Sequence, residues 1–258
     1  MAKKKMTPRG ARIFGIGFAA FACIFIAVGG GMAWSQATKL TSWQPVAAKV
    51  VSSEVTSRHG SKGGTTYKPL VRFTYQVGGI EHSADTAMPI DMSTSGSAWA
   101  QRIVARFPAG SQTTAYYDPR SPGDAFLVRE ANVFPYLIIL FPMVHVCIGV
   151  GVWWFAGRPG LDARSKARRM GAMAVVWDAV GVLAFVHYLT IGGGLDWTAG
   201  LAFGIYAALG TVLVLIWVHF LRKAAAAGRE TTAAPITQTE ATALPNRTEP
   251  ENPFRRPD

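Results

Sequence analysis

Four long apolar stretches constrain the fold of this chain more than any other feature of its sequence. A hydrocarbon core of about 30 Å takes roughly 20 residues of α-helix to cross, and each stretch reaches that length. None has the separate polar and apolar faces of a helix on the surface of a soluble core. The stretches are residues 13–34, 133–156, 170–194 and 197–221. We therefore predict a multi-pass membrane protein with four transmembrane helices, embedded in the lipid bilayer.

The positions of lysine and arginine predict how the chain is oriented. Basic residues are concentrated in segments 1–12, 157–169 and 222–258, whereas the short turn at 195–196 has none. Because cytoplasmic loops carry the excess of positive charge, both termini are expected in the cytoplasm and residues 35–132 outside it. This topology also accounts for the net charge of +11. No nucleic acid partner is therefore expected.

A cleaved signal peptide is the alternative interpretation of the first stretch. A basic segment precedes it, and Ser35-Gln36-Ala37 resembles a cleavage site with small residues. The apolar stretch is longer than the roughly 7–15 residues of a signal peptide, which favours a permanent span. Cleavage would leave three spans.

The segment between the first two spans has the pattern of a small β-rich domain. Val71, Phe73 and Tyr75 alternate with polar residues, as in a strand with one buried face. Gly78-Gly79 then predicts a tight hairpin turn. From 98 to 107 the apolar spacing becomes that of a short helix. Together with the flanking Val- and Thr-rich segments, this predicts about five strands and one short helix.

The expected fold class is an α+β membrane protein, with four transmembrane α-helices and this extracytoplasmic β-rich domain inserted between the first two. Residues 222–258 contain few large apolar side chains and are predicted to be a disordered cytoplasmic tail. The only cysteines, Cys23 and Cys147, fall in predicted spans, so no disulfide is expected.

Two motifs near the end of the outer segment indicate a family. The helix stop Phe107-Pro108-Ala109-Gly110 precedes a strand and turn that contain Tyr116, Tyr117, Asp118, Pro119 and Pro122. On these motifs, residues 13–156 resemble the bacterial membrane-protein family called domain of unknown function 3592. The resemblance implies an outer β domain anchored in the bacterial cytoplasmic (inner) membrane. It implies no activity and supplies no catalytic residues.

Asp178 is the one acidic residue inside a predicted span, which makes it the leading intramembrane candidate. In an antiparallel hairpin of the second and third spans, His145 and Asp178 lie about 16 and 12 Å from the cytoplasmic ends. We favour a structural pair of these two residues over a proton or ion relay. His187, nine residues from Asp178, falls on the opposite helix face.

Small residues repeat at four-residue spacing in the fourth span, at Gly200, Gly204 and Ala208. Such a repeat lets two helix backbones approach closely. Packing within the chain is the favoured interpretation, and formation of a homo-oligomer through this helix is the alternative.

The sequence contains no recognisable catalytic or metal-binding motif, so we expect neither an enzyme nor a cofactor. Asp118 precedes Pro119 and is interpreted as a turn former. The leading hypothesis is an envelope protein whose outer domain binds a protein or a cell-wall component. The alternative is a small transporter, or an accessory subunit of one, that uses Asp178 and His145. A membrane hydrolase is the weakest hypothesis.

Overall fold

The protein is built from helices and one antiparallel sheet. A computed structural model describes residues 7–61, 63–156, 158 and 160–233. In that part of the chain there are five helices and a five-stranded antiparallel sheet, which confirms the α+β class. The elements in chain order are α1 (Pro8–Ser42), β1 (Gln44–His59), β2 (Thr65–Val77), β3 (Ile80–Ala84), α2 (Ser97–Arg106), β4 (Gln112–Asp118), β5 (Ser121–Phe126), α3 (Phe134–Phe155), α4 (Ala163–Thr190) and α5 (Trp197–Ala233).

Four of the helices, α1, α3, α4 and α5, are long and apolar enough to cross a membrane. They coincide with the four apolar stretches except at their ends. Helices α1 and α5 continue past their predicted ends, and α4 begins before residue 170 and ends at Thr190, short of the predicted residue 194. Helix α1 continues past residue 34 to Ser42, where Gln36 and Leu40 are buried. Because contacts with the rest of the fold stabilise helical turns, residues 35–42 extend α1 and do not begin the β-rich domain.

Helix α5 also extends beyond its predicted end, to Ala233. The prediction of a disordered tail is therefore wrong for residues 222–233, where the run of alanines at 224–227 favours helix. Residues 1–6 of the predicted basic N-terminus and 234–258 of the predicted tail lie outside the described residues.

The predicted basic loop at 157–169 is also partly helical, because α4 begins at Ala163. Asp162 is its N-cap, and the carboxylate accepts a hydrogen bond from Ser165 N at 3.3 Å.

Strand β1 is the centre of the sheet, whose order is β3-β2-β1-β4-β5. Its first half pairs with β4, from Gln44 opposite Tyr117 to Lys49 opposite Gln112. The pairing with β2 continues to His59, with a register shift between Val50 and Ser52. One long strand thus belongs to both halves of the sheet, and the irregularity lets it bend between them.

The sheet curls into a partly open barrel. Helix α2 connects β3 to β4, and a parallel bridge between Thr86 and Phe126 brings the two edge strands together. This strand order, with the helix in this connection, is the topology of the OB-fold, a five-stranded, partly open barrel. We call β1–β5 with α2 the barrel. Its core contains Val71, Phe73 and Tyr75, as their alternation predicts, together with residues such as Ile103 and Phe107.

The four long helices pack mainly as two pairs, α1 with α3 and α4 with α5. Gly15 and Gly149 bring the backbones of the first pair together, because a β-carbon at either glycine would collide with the other helix. The second pair is joined by Trp177 and Tyr206, whose rings stack with centroids 4.3 Å apart. Each of these two side chains also hydrogen-bonds to the other's backbone carbonyl.

Candidate functional site

A polar groove of about 390 Å³ lies on the outside of the barrel, across strands β1, β2 and β4. Its outward-facing polar side chains provide one amine, one carboxylate, two carboxamides and one hydroxyl group. These belong to Lys49, Glu81, Gln76, Gln112 and Thr74, whereas Thr113 lies opposite the core residue Ala48 and faces inward. Such a set can donate and accept hydrogen bonds over most of the groove.

The strand register explains why these side chains meet. Lys49 lies opposite Thr74 on β2 and opposite Gln112 on β4, so the three form one row across the sheet. Gln76 lies two positions after Thr74 on β2 and therefore on the same face of the sheet, where it pairs with Glu81 of β3. The neighbours of this row on each strand point inward, and Val50, Phe73 and Tyr75 are buried in the core.

Tyr75 fixes the floor of the groove. Its ring is 3% exposed and its hydroxyl donates a hydrogen bond to the Pro122 carbonyl at 2.7 Å. Burial, and to a lesser extent the negative charge of Asp124, raise the pKa of the Tyr75 hydroxyl above its ordinary value. The hydroxyl therefore remains a neutral donor that holds β2 against β5.

The turn motif around residues 116–122 has a structural role. Asp118 accepts a hydrogen bond from Arg120 N at 2.9 Å, as expected for a turn former. Tyr117 donates to the Gln44 side chain at 3.2 Å, and the Tyr116 ring stacks on Phe126. These contacts place the motif at the end of β4 and the start of β5, where it shapes the barrel.

A buried polar junction attaches the barrel to α1 and α3. The Gln36 side chain is fully buried and its amide makes two hydrogen bonds with the backbone of Asn132, at 3.0 and 2.8 Å. The Arg129 guanidinium donates twice to the Leu40 carbonyl. Lys39 donates to the Pro89 carbonyl at 2.9 Å. The chain therefore enters and leaves the barrel through one cross-linked region, which we call the junction.

Sequence reasoning did not identify the junction, although a signal was present. Gln36 continues a seven-residue repeat with Gly15, Ala22 and Gly29, and all four are buried on one side of α1. Such a repeat marks the helix face that packs against a partner. Gln36 was interpreted only as part of the signal-peptide alternative.

The structure does not bring His145 and Asp178 together. The His145 ring packs against Phe18 and Phe141, and its Nδ1 atom is buried without a hydrogen-bond partner. Asp178 is exposed and forms no ion pair or hydrogen bond with any described residue. Similar depths on adjacent helices did not produce a contact, because the two side chains project in different directions around their helix axes.

His187 has a partner that the sequence analysis missed. Its Nδ1 atom lies 2.7 Å from the hydroxyl of Tyr136, a residue of α3 that is 1% exposed. The Tyr136 ring also packs edge-on against Tyr188. These contacts connect α3 to α4, which gives His187 a structural explanation.

The favoured interpretation of Gly200, Gly204 and Ala208 is wrong. All three are exposed and line a shallow apolar groove on the outside of α5, and nothing lies within 4 Å of a β-carbon built on either glycine. Other glycines let α4 and α5 approach each other. Gly181 faces the Tyr206 ring, Gly171 faces Trp217, and Gly210 faces Trp177.

A comparison with known families matches the segment that contains the barrel strands and the turn motif. Residues 46–132 match the family described as Domain of unknown function (DUF3592). The resemblance is thus confirmed for residues 46–132, which we call the DUF3592 segment and which run from β1 to the junction. The match does not include α1 or α3, although the resemblance was expected over residues 13–156. No curated protein matches the chain.

The described residues contain no group of three or more His, Cys, Asp or Glu side chains that could hold a metal ion. The polar side chains of the groove lie on the outer surface of the DUF3592 segment and can form hydrogen bonds.

Proposed function

We propose that this is an integral protein of the bacterial cytoplasmic membrane whose barrel binds a component of the cell envelope on the extracytoplasmic side. In this proposal α1, α3, α4 and α5 span the bilayer, with both termini in the cytoplasm. Their apolar length and the distribution of lysine and arginine support this orientation. The polar groove is the observation that supports a binding role.

The chemistry of the groove favours a cell-wall component over a protein as its ligand. The core of a protein interface is typically rich in aromatic residues, Met and Arg. Among the side chains lining the groove, the one aromatic is Tyr75, which is buried beneath it. Two carboxamides, one hydroxyl, one amine and one carboxylate match a ligand with many hydroxyl, amide and carboxyl groups. Glycan strands with attached peptides have this chemistry.

The junction sets where such a ligand is bound. Only Trp43 lies between the end of α1 and the start of β1, and Gln36 and Arg129 cross-link the two sides. The barrel is therefore held directly above the end of a proposed span. In this arrangement its groove reaches polymer that lies next to the membrane surface.

The test measures binding by the full chain in lipid nanodiscs, with soluble glycan-peptide fragments released from cell walls as the probe. The double variant Gln76→Ala/Gln112→Ala removes two carboxamides from the groove. We expect a loss of about 2 kcal/mol, or roughly thirtyfold in Kd. Gln101→Ala is the matched control, because this exposed glutamine lies on α2, outside the groove.

The proposal fails if the wild-type chain does not bind the fragments, or if the double variant and the control bind equally well. Orientation is tested separately with single cysteines in a Cys23/Cys147-free background. An impermeant thiol reagent applied to intact cells should label Ser61→Cys and leave Ser165→Cys and Thr232→Cys unlabelled. Labelling of the last two would contradict the orientation.

His145 packs against Phe18 and Phe141 and does not contact Asp178, so the pair that the transporter alternative invoked gives it no support.

A further inference from the structure

Asp178 occupies an unusual position for an acidic residue. It follows the buried Trp177 on α4, and its carboxylate lies beside α5, where a β-carbon at Gly210 would collide with Oδ1. It lines an apolar cleft of about 380 Å³ on the outside of the α4–α5 pair. The other lining residues are Gly181, Val182, Phe185, Phe203, Tyr206 and Ala207.

The carboxylate cannot reach water by bending along the helix. Asp178 lies eight residues after Met170, where the predicted span begins, and 12 residues before the end of α4, which places it about 12 Å and about 18 Å from the two ends. Lysine and arginine have long side chains that extend to the membrane surface, but aspartate does not. In the proposed membrane orientation, an unpaired carboxylate here would face lipid, which is strongly unfavourable.

The described part of the chain provides no cation at this depth. His145 faces Phe18 and Phe141, and His187 contacts Tyr136. His219 lies on α5, nine residues beyond Gly210, or about 14 Å along the helix. No lysine or arginine occurs between Met170 and Leu221. A second copy of this chain would bring the same groups at the same depths, so it cannot supply the missing positive charge.

The cleft has room for a side chain from outside. Ala207 is small and exposed where it lines the cleft, and Phe185 packs edge-on against Phe203 next to it. The volume falls within the range of about 300–1,000 Å³ that is usual for ligand pockets. An apolar stem ending in a positive charge would contact the aromatic rings and reach the carboxylate.

We propose that this face of α4 and α5 binds a membrane-spanning helix of another protein that carries a lysine or arginine near the middle of the bilayer. The Asp178 carboxylate pairs with that cation, and the apolar cleft holds its stem. The inference rests on the proposed membrane insertion, but it does not depend on what the barrel groove binds.

The test uses the full chain in vesicles of phosphatidylethanolamine and phosphatidylglycerol, with two synthetic transmembrane peptides as probes. Both are leucine-rich, and one has a single lysine at its centre where the other has leucine. Energy transfer between a labelled Ser165→Cys and a labelled peptide reports association. We expect the lysine peptide to bind about tenfold more tightly than the leucine peptide.

Asp178→Asn keeps the size of the side chain and should abolish the preference for lysine. Asp162→Asn is the matched control, because it removes a carboxylate just before the same helix and should leave the preference intact. Asp178→Lys should instead prefer a peptide with a central glutamate. In sealed vesicles, an impermeant thiol reagent should reach Ser61→Cys and Ser165→Cys from opposite sides of the bilayer, and the fraction of each that is protected until detergent is added reports insertion independently. A failure of the membrane proposal is thereby distinguished from a failure of docking.

Three results would overturn the inference. The first is equal binding of the lysine and leucine peptides by the inserted wild-type chain. The second is a preference for lysine that persists in Asp178→Asn. The third is energy transfer between two labelled copies of the chain that is lost in Asp178→Asn, because a second copy would then occupy this face.

Discussion

The two hydrogen bonds of Gln36 should contribute measurably to the attachment of the barrel. Gln36→Leu preserves the approximate volume of the side chain but leaves the Asn132 N–H and carbonyl without their partner. An unsatisfied buried backbone group costs about 1–3 kcal/mol. Asn132 is partly buried, so water can compensate in part, and we expect a total cost of about 2 kcal/mol.

Hydrogen–deuterium exchange measures this cost locally. A loss of about 2 kcal/mol corresponds to a roughly thirtyfold increase in the local opening equilibrium, and therefore in the exchange rate of the Asn132 amide. Peptides that cover residues 129–134 report the change in the full chain in detergent. The control is Gln101→Leu on α2, whose glutamine is exposed. If exchange at Asn132 accelerates less than threefold, Gln36 does not hold the junction.

Two further predictions concern the long helices. Gly181→Ala should lower the Tm in detergent, because the new β-carbon would collide with the Tyr206 ring. Such overpacking costs about 1–3 kcal/mol, which exceeds the gain in helix propensity from replacing glycine with alanine. Gly204→Ala should instead stabilise α5 by up to about 1 kcal/mol, because nothing lies within 4 Å of a β-carbon built at this position. Equal shifts in Tm for the two variants would show that Gly181 is not the closely packed glycine of the two. The hydrogen bonds from Ser165 lower the pKa of the Asp162 carboxyl group below its ordinary value of 3.8. The stability that the Asp162 cap adds to α4 is therefore fully present above pH 3.8 and is lost as the pH falls through the lowered pKa. Far-ultraviolet circular dichroism should show a small acid loss of helicity that is absent in Asp162→Asn, and identical acid titrations of the two proteins would refute the cap.

Elements that depend on local periodicity could be predicted from the sequence. The alternation of Val71, Phe73 and Tyr75 directly reflects which side chains are buried, and β2 has these three in the core. Gly78 and Gly79 adopt φ angles of 60° and 83°, as the hairpin turn required. The short helix after residue 96 was also predicted, because its apolar spacing changes to the helical period.

The order of the strands could not be predicted in this way. Val46 and Ala115 pair across β1 and β4 although they are distant in the chain, and neither local pattern specifies the other strand as its partner. The register shift between Val50 and Ser52, which lets β1 belong to both halves of the barrel, likewise leaves no distinctive local pattern.

The orientation of each helix about its own axis was the main source of error among the candidate residues. Depth in a membrane follows from residue number, but the direction of a side chain depends on which helices pack against it. Asp178 therefore had the correct depth for a contact with His145 and the wrong direction. Gly204 had the spacing of a packing glycine, but Gly181 and Gly210 were the ones that faced aromatic rings.

The single residue between α1 and β1 makes the barrel and the helix one mechanical unit. Inserting one residue into α1 would rotate everything beyond it by about 100° and move it by about 1.5 Å. The return path through Asn132 and α3 could not follow this rotation, because α3 is fixed to α1 at Gly15 and Gly149. The length of α1 therefore sets the direction in which the groove faces around the axis of α1. Changes in length are more easily accommodated at the β1–β2 and β2–β3 turns, because these turns do not connect the barrel to α1 or α3.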